Sequence, residues 1–255
     1  MSDKIAALIL AGGKGTRMKS DIPKALFKVR EKSIIERIVD AVSLPGERTV
    51  TVVVSPSNID PIREVLGSKA EYILQPEAKG TGHAVMCAES ALKNKSEHIL
   101  VFVGDAPFIT QKMVEELVEK HIEIDSACTF YTSYYNTGDI PPYGRIIRNT
   151  SGRVLKVIEE KDASEEQKKI REVLTSHYCF RTEKLFGALK KIRNENSQKE
   201  YYLTDAIGIL IDQGETVEAI RAEDPIFLAG INTQEELELR TKEMNEYMSN
   251  HADKK

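Results

Sequence analysis

The most constraining feature of the sequence is a continuously apolar run near the amino terminus, Ile5–Ala11, which ends at Gly12-Gly13. Apolar residues at every position, rather than at alternate positions, are typical of a β-strand that is covered on both faces of its sheet. The run is too short for a membrane span, which needs about 20 apolar residues, and no cleavage site of small residues follows it. We therefore predict a buried strand that ends in a glycine turn, and neither a transmembrane helix nor a signal peptide.

Strand-like runs recur along the chain and alternate with helical patterns. The predicted strands are Ile5–Ala11, Thr49–Val54, Tyr72–Gln75, Ile99–Val103, Ala127–Tyr131, Val154–Glu159, His177–Arg181 and Val217–Ala222. The predicted helices are Ile34–Val42, which Ser33 can cap, Pro61–Leu66, Gly82–Leu92, Gln111–His121, Glu183–Arg193 and Thr204–Gln213. This alternation predicts an α/β fold in which a mostly parallel sheet has helices on both faces.

Two segments depart from the alternation. Tyr135–Arg148 is rich in glycine and proline, so we expect a loop that is either a domain edge or part of a ligand pocket. Thr233–Met248 has the composition of a charged helix, and Asn250–Lys255 has that of a frayed tail.

Composition narrows the class of function. The 255 residues are 41% hydrophobic and carry a net charge of −4, which indicates a globular protein of one large or two small domains. A general nucleic-acid binder would have a strong basic excess, so we expect no nucleic-acid partner. Cys87, Cys128 and Cys179 are far apart and form neither a disulfide framework nor a zinc motif, which favours the reducing environment of the cytoplasm.

The glycine-rich segment Leu10–Met18 directly follows the first predicted strand. Glycines allow backbone N–H groups to approach a phosphate closely, and Lys14 and Arg17 add positive charge. The segment is not a Walker A loop, because Lys14 is followed by Gly15, and Met18 stands where a dinucleotide fingerprint has its third glycine. It is a phosphate-loop candidate of another kind, and the alternative is a glycine turn with exposed basic residues.

Lys24 follows this loop at a short distance along the chain. Pro23 restricts the backbone just before it, so the lysine can be held in one direction and act as a phosphate clamp. Without its neighbours, an exposed lysine is usually a solvated charge. Its position after the glycine loop favours the phosphate clamp.

The segment Gln75–Ala84 is a second loop between a predicted strand and a predicted helix. Gln75 offers a donor and an acceptor that suit the edge of a nucleobase, and Gly80 and Gly82 permit close backbone contact. The helix that follows directs its first N–H groups back at the loop. His83 can be read as a catalytic residue, but a histidine at the start of a helix more often makes a structural hydrogen bond, and we favour that role.

Asp105 ends another apolar strand, in the segment Val103–Pro107. In open α/β sheets, ligands bind outside the carboxyl ends of the strands, which is where we expect Asp105. An aspartate beside phosphate oxygens in a basic site is suited to hold Mg²⁺, and an aspartate in a simple turn is the alternative. The glycine-rich loop, the loop at Gln75 and the loop at Asp105 all follow predicted strands and suit parts of one nucleotide, which favours a ligand site over a simple turn at Asp105.

Taken in order, these motifs resemble a known family. The segments that carry the resemblance are Leu10–Met18 with Pro23-Lys24, Gln75 with Gly80-Thr81-Gly82-His83, Gly104-Asp105-x-Pro107, Tyr143-Gly144-Arg145-Ile146, Glu159, Glu200–Asp205 and Gly230-Ile231-Asn232. Over about the first 235 residues, the chain resembles the nucleotidyltransferase domain of bacterial N-acetylglucosamine-1-phosphate uridylyltransferases. The resemblance implies a Rossmann-like fold with a nucleotide-binding part at about 1–134 and a smaller sugar-binding lobe at about 135–232, followed by a C-terminal helix and tail at 233–255.

The resemblance also implies roles for the matching positions. The nucleotide would be bound by Leu10, Ala11, Gly12, Gly13, Lys24, Gln75, Gly80 and Thr81, with Gln75 on the uracil edge. The catalytic cations, which act on the phosphates, would be Arg17 and Lys24. The Mg²⁺ cofactor would be held by Asp105 and Asn232, and the sugar would contact Gly144 and Glu159.

The chain departs from the family pattern at three places. An Asn-Thr-Gly stretch, whose asparagine touches the sugar, is replaced by Leu174-Thr175-Ser176, and leucine cannot make that hydrogen bond. Val103 stands where an aromatic residue is often seen. Hexapeptide repeats of the left-handed β-helix that acetylates glucosamine 1-phosphate in many relatives do not occur, so we expect neither acetyltransferase activity nor trimers built through that domain.

We therefore expect an enzyme that transfers UMP from UTP to a hexose 1-phosphate, with N-acetylglucosamine 1-phosphate as the first candidate, and forms UDP-sugar and pyrophosphate. The mechanism would be a Mg²⁺-assisted in-line displacement without a protein nucleophile. Two alternatives stay open: a pyrophosphorylase for another NTP or another sugar or alcohol phosphate, and a non-catalytic nucleotide-sugar-binding module. The missing third glycine disfavours a dehydrogenase, and we expect no membrane partner.

Overall fold

A computed structural model of the protein describes residues 5–13, 15–43 and 49–251. Its strands are β1 (Ile5–Leu10), β2 (Lys28–Val29), β3 (Lys32–Ser33), β4 (Thr49–Val54), β5 (Glu71–Leu74), β6 (His98–Val103), β7 (Cys128–Tyr134), β8 (Arg145–Arg148), β9 (Val154–Ile158), β10 (Glu172–Arg181) and β11 (Val217–Arg221). Its helices are α1 (Ile34–Val42), α2 (Ile59–Leu66), α3 (Thr81–Cys87), α4 (Glu89–Leu92), α5 (Gln111–Glu123), α6 (Glu165–Lys168), α7 (Thr182–Leu189), α8 (Asp205–Asp212) and α9 (Gln234–His251).

Most of the described strands form one sheet, in the order β11-β7-β10-β6-β1-β4-β5, with β8 paired to β10 and β9 paired to β8. The pairs β1–β4, β1–β6, β4–β5 and β7–β11 are parallel, whereas β10 runs antiparallel to both β6 and β7. The short strands β2 and β3 form a separate hairpin. The predicted α/β fold with a mostly parallel sheet is confirmed.

Strand β1 is buried on both faces, as its apolar pattern predicts. Ala7 and Ile9 pack on one face with apolar side chains of α1, α2 and α5, and Ala6 and Leu8 pack on the other face with those of α3, α7 and α8. Complete burial of a side chain such as Leu8 contributes about 1.5–3 kcal/mol relative to leaving it in water. Packing on both faces therefore fixes the position of β1, and with it the start of the glycine-rich loop that follows Leu10.

The start of α1 confirms the predicted cap. The Ser33 hydroxyl accepts a hydrogen bond from the N–H of Glu36 at 3.4 Å, and the Glu36 carboxylate accepts one from the N–H of Ser33 at 2.8 Å. This reciprocal pair satisfies N–H groups for which the helix itself has no partner. The Ser33 hydroxyl also donates to the Glu36 carboxylate at 2.7 Å, and this hydrogen bond, together with the one from the Ser33 N–H, lowers the pKa of Glu36.

Three predicted helices are partly wrong. The helix predicted at Glu183–Arg193 is too long, since α7 ends at Leu189. The helix predicted at Gly82–Leu92 is interrupted, because the N–H of Ala88 donates to Val85, only three residues earlier, and this tight turn separates α3 from α4. The charged C-terminal helix runs further than predicted, since α9 ends at His251 rather than Met248 and includes Asn250. The remaining tail residues, 252–255, lie outside the described residues.

The predicted loop Tyr135–Arg148 is also partly wrong, because its last four residues form β8. This strand pairs antiparallel with β9. The buried Arg145 side chain supports the turn into it by donating hydrogen bonds to the carbonyls of Pro141 and Tyr143. The glycines and prolines that precede β8 conceal this short strand in the sequence pattern.

Strand β10 returns to the main sheet and lies between β6 and β7, and β11 adds to the edge beside β7. The predicted parts 1–134 and 135–232 therefore share one sheet, and the division between them stays a prediction. All three cysteines are free thiols; Cys128 and Cys179 are buried and Cys87 is half-buried. Among the residues that the structure describes, no helix is both long and apolar enough to cross a membrane.

Candidate active site

A cleft of about 590 Å³ lies where the loops that follow β1, β5 and β6 come together. Strand β1 has β4 on one side and β6 on the other, so the strand order reverses here, and such switch points are where open α/β sheets bind ligands. Of the residues predicted from sequence, the cleft is lined by Leu10, Ala11, Gly12, Gly13, Arg17, Lys24, Gln75, Gly80, Thr81 and Asp105. Lys14, which was predicted to add positive charge, lies outside the described residues.

The backbone after β1 is braced by β4 and by the loop that follows it. The N–H of Ala11 donates to Val53 O at 2.8 Å, and Asn58 Nδ2 donates to Ala11 O at 2.7 Å. Asn58 is itself fixed, because its Oδ1 accepts from the N–H of Ser55 at 2.8 Å. Asn58 lines the cleft and was missed by the sequence analysis, since its partner lies 47 residues away along the chain.

Gly12 and Gln75 lie in direct contact at the wall of the cleft. A Cβ atom at Gly12 would lie 2.5 Å from Gln75 Oε1, so no other residue fits there without moving the glutamine. Gln75 Nε2 lies 3.1 Å from Gly80 O and 3.1 Å from His83 Nδ1. His83 therefore makes the structural hydrogen bond that the sequence predicts for it.

Gly80 and Gly82 lie directly against the backbone of Tyr201, which leaves no room for a side chain at either position. Gly80 has a φ of 99°, and a Cβ atom there would lie 2.5 Å from Tyr201 O. The N–H of Gly82 donates to the same carbonyl at 2.8 Å, and the Thr81 hydroxyl accepts from the N–H of Leu203 at 3.1 Å. The loop before α3 is thus attached to the segment before α8, and Glu200 of that segment lines the cleft.

Two cations and two oxygen ligands converge at one side of the cleft. Lys24 Nζ lies 2.6 Å from Asp105 Oδ2 and 3.2 Å from Asn232 Oδ1. Arg17 donates to the same Asn232 oxygen at 2.9 Å. The Lys24 and Asp105 side chains are only 19% and 21% exposed, so water screens their attraction less than it would at the open surface. We call these four side chains the charged centre.

The local backbone directs Lys24 into the charged centre. Pro23 precedes a short 3₁₀ turn, Lys24–Leu26, which fixes the direction of the lysine. Gly15 has a φ of 60°, and a Cβ atom there would lie 2.9 Å from the Lys24 Cβ. The glycine loop and the lysine therefore pack against each other, as the order of motifs along the chain suggests.

Asn232 is positioned by the backbone around it. The N–H of Ile231 donates to Asp105 O at 2.8 Å, and the N–H of Asn232 donates to Glu236 Oε2 at 2.6 Å. One residue earlier, the N–H of Gly230 donates to the Tyr143 hydroxyl at 3.0 Å. Burial raises the pKa of Tyr143, so its hydroxyl stays protonated and can still donate one hydrogen bond. Neither Tyr143 nor Glu236 was assigned a role from sequence.

A smaller hollow of about 200 Å³ adjoins the charged centre and shares Arg17, Asp105 and Val103 with the cleft. Its other described walls are formed by Pro142, Tyr143, Leu174, Thr175, Ser176, Leu228, Gly230 and Asn232. Leu174 and Leu228 are almost fully buried and make part of this wall apolar. The arrangement thus offers a larger compartment and a smaller one on either side of the same charges.

Comparison with known sequences identifies the family. The sequence model of the nucleotidyl transferase family matches residues 6–225, which is most of the chain. The chain belongs to the nucleotidyl transferase family. The matched range contains the loops after β1, β5 and β6, and it ends before the segment that carries Asn232. The protein is therefore a nucleotidyltransferase, and the cleft is its candidate active site.

Several curated proteins have sequences similar to this chain over most of its length. The bifunctional protein GlmU of Streptococcus gordonii is 43% identical over 228 residues, which cover 89% of this chain and 49% of that protein. GlmU of Clostridium beijerinckii is 43% identical over 217 residues, covering 85% and 47%. GlmU of Shouchella clausii is 40% identical over 248 residues, covering 95% and 54%. The chain spans about half the length of the curated relatives it matches.

Two residues predicted to contact the sugar, Gly144 and Glu159, do not line either compartment of this nucleotidyltransferase. Gly144 is buried, where a Cβ atom would lie 2.9 Å from Val157 Cγ1, and its carbonyl accepts from the N–H of Leu174 at 2.8 Å. Glu159 accepts from the Thr204 hydroxyl at 2.9 Å and lines a separate hollow of about 500 Å³. Burial raises the pKa of Glu159. Their roles in sugar binding stay predictions.

Proposed function

We propose that this nucleotidyltransferase transfers UMP from UTP to a sugar 1-phosphate and releases pyrophosphate, with N-acetylglucosamine 1-phosphate as the first acceptor to test. The observation that carries the proposal is the charged centre, where Arg17 and Lys24 converge on the oxygens of Asp105 and Asn232. The adjoining cleft, of about 590 Å³, has the size of an ordinary small-molecule site. Family membership supports nucleotidyl transfer, and the choice of UTP and of the sugar rests on the resemblance given above.

A divalent cation, Mg²⁺ in this proposal, fits the charged centre. The carboxylate of Asp105 and the amide carbonyl of Asn232 are the hard oxygen donors that Mg²⁺ prefers, and both already contact one positive charge, the ammonium of Lys24. Asp105 and Asn232 supply only two ligand side chains, so substrate phosphates and water would have to supply the others. When bound, the cation would neutralise charge on the phosphate oxygens.

The proposed reaction needs no protein nucleophile. An oxygen of the acceptor phosphate, already an anion, attacks the α-phosphorus of UTP. A new P–O bond forms while the bond from the α-phosphorus to the oxygen that bridges to the β-phosphate breaks, and pyrophosphate leaves with that electron pair. Because the attacking oxygen already carries negative charge, no protein base has to remove a proton from it, and Asp105 and Glu200 in the cleft need not act as bases.

The protein contributes position and charge. Arg17 and Lys24 would bind the phosphates and stabilise the negative charge that increases in the transition state. The backbone of Gly12 and Gly13, held by the brace from Asn58 to Ala11, would lie along the nucleotide without a side chain in the way. Holding both substrates in line is itself a large part of such catalysis.

The smaller hollow is the proposed place of the acceptor sugar. It shares Arg17 and Asp105 with the cleft, so a phosphate bound there lies next to the charged centre. Tyr143 offers a hydroxyl at its wall, whereas Leu174 offers an apolar surface. The choice of sugar therefore depends on few polar side chains, and it must be measured across several acceptors.

The test is a panel of the four NTPs against N-acetylglucosamine 1-phosphate, glucose 1-phosphate and an alcohol phosphate, with pyrophosphate release as the signal. We expect release with UTP and a sugar 1-phosphate in the presence of Mg²⁺. Equal or better use of CTP would contradict the choice of UTP. Nucleotide binding without pyrophosphate release in any pairing would contradict catalysis and indicate a binding module.

A further inference from the structure

The orientation of the Gln75 amide is fixed by its neighbours in the protein. An amide presents two donor hydrogens on its nitrogen and an acceptor oxygen, and it can suit opposite partners by turning over. Gln75 Nε2 lies 3.1 Å from Gly80 O and 3.1 Å from His83 Nδ1. Both hydrogens of the amide are therefore used inside the protein, and the oxygen is left to meet a ligand.

Turning the amide over would be unfavourable at this position. Its oxygen would then face the carbonyl oxygen of Gly80, which cannot donate to it, and the hydrogen bond that Gly80 now accepts would be lost. Gln75 is only 5% exposed, so water cannot easily compensate for a lost hydrogen bond. In the orientation observed, Oε1 lies beside Gly12, at the wall of the cleft.

His83 can act as the acceptor because of its own surroundings. Its Nε2 lies 3.9 Å from Cys87 Sγ, one helical turn further along α3. With the imidazole proton on Nε2, facing this sulfur, Nδ1 carries the lone pair that accepts from Gln75. The hydrogen bond from Gln75 Nε2 to Gly80 O sets the orientation of the amide, and in this tautomer His83 accepts the second amide hydrogen.

We propose that His83 is a positioning residue that keeps Gln75 Oε1 turned toward the nucleobase as an acceptor. Placed opposite ring N3, this acceptor matches uracil, whose N3 carries a hydrogen, and opposes cytosine, whose N3 carries a lone pair. The site then prefers UTP to CTP because the protein prevents the amide from turning over. This inference rests on the proposed function in one respect, namely that the base lies against Gln75.

The test measures the dissociation constants of UTP and CTP by calorimetry in buffer containing Mg²⁺. The proteins are the wild type, His83→Ala, His83→Asn and the control Met86→Ala, which truncates another half-buried side chain of α3. We expect the wild type to bind UTP more tightly than CTP. In His83→Ala this preference should fall about tenfold or more, since the amide loses one of the two groups that fix it. His83→Asn places a carbonyl oxygen near the position of Nδ1 and should restore the preference, and Met86→Ala should keep it.

Several results would overturn the inference. They are a wild type without preference for UTP, a His83→Ala protein that keeps the full preference, and a Met86→Ala protein that loses as much of it as His83→Ala does. Thermal unfolding of each variant shows whether it is folded under the conditions of the assay. Pyrophosphate release from the same samples tests the proposed function separately. Selective UTP binding without release would contradict the transfer reaction while supporting the role of His83.

Discussion

The Lys24 ammonium nitrogen lies 2.6 Å from Asp105 Oδ2. The same nitrogen lies 3.2 Å from Asn232 Oδ1, and Arg17 lies on the other side of that oxygen. Each oxygen proposed to hold a divalent cation is thus already in contact with a cation of the protein. In the proposed function, the nucleotide phosphates and the divalent cation would have to displace or share these contacts.

Lys24→Ala should fold normally and be nearly inactive. The lysine is a preorganised positive charge, and loss of one such contact typically lowers the rate about 10²–10³-fold. Pyrophosphate release measures the effect, and thermal unfolding measures the fold. The matched control is Lys28→Ala, which removes an exposed lysine of β2 outside the cleft. Near wild-type turnover in Lys24→Ala would remove this residue from the proposed mechanism.

Without nucleotide, Lys24→Met should bind Mn²⁺ more tightly than the wild type does. In the wild type, the ammonium occupies the space between Asp105 and Asn232, and its charge repels a second cation. Mn²⁺ accepts the same oxygen ligands as Mg²⁺, and electron paramagnetic resonance measures its free concentration directly. We expect an increase of several fold in affinity.

The control for this experiment is the double variant Lys24→Met with Asp105→Asn. It keeps the size of both side chains but removes the carboxylate that attracts the ion. Its Mn²⁺ affinity should fall below that of Lys24→Met alone. Equal Mn²⁺ affinity in the wild type and in Lys24→Met would show that the ammonium does not compete with the ion.

The sequence was sufficient to predict which loops form the cleft. Parallel strands end at the same edge of a sheet, so Gly12, Gln75 and Asp105, each placed after an apolar run, had to lie near one another. The pairing of Asp105 with Asn232 came from the resemblance. The structure brings these two residues to the same Lys24 nitrogen.

Other features had no local signal. Asn58 braces Ala11 across 47 residues, and Tyr143 contacts the N–H of Gly230 across 87 residues, so neither partner is visible in a sequence window. Strand β10 lies between β6 and β7 and is antiparallel to both. The pattern of apolar residues predicts where strands occur along the chain but not their order in the sheet. Gly80 was predicted for its closeness to a ligand, yet its tightest described neighbour is Tyr201 O.

Leu174→Asn should increase the preference for N-acetylglucosamine 1-phosphate over glucose 1-phosphate. Leu174 lies in the wall of the proposed acceptor hollow, and an amide there can hydrogen-bond to the acetamido group. We expect the ratio of the two kcat/KM values to rise about tenfold. Because the leucine is 3% exposed, the variant should also lose about 2 kcal/mol in the free energy of unfolding.

Leu174→Ala is the control for this change, since it removes the leucine without adding an amide. It should lower the stability and leave the ratio of kcat/KM values close to that of the wild type. If both variants shift the ratio equally, the space left by leucine, rather than the amide, determines the choice of sugar.

His177 is a buried histidine whose protonation is expected to affect the stability of the protein. This residue of β10 is completely buried and packs edge-on against Phe102. Burial lowers the pKa of His177 from 6.5 to about 4, although the charge of nearby Asp105 acts in the opposite direction. Burial likewise lowers the pKa of His121 to about 3.

These depressed pKa values predict that the protein loses stability in mild acid. Below about pH 6.5 the unfolded chain takes up protons on these histidines while the folded chain does not, so the free energy of unfolding falls until the pH reaches the folded pKa. Between pH 6.5 and pH 5, His177 alone should lower the free energy of unfolding by about 2 kcal/mol.

His177→Leu should therefore lose less stability than the wild type between pH 7 and pH 5, as measured by urea unfolding at both values. The control Phe102→Leu, which alters the packing but keeps the imidazole, should lower the stability at both pH values and retain the wild-type dependence on pH. An unchanged loss in His177→Leu would show that this histidine is not a source of the acid sensitivity.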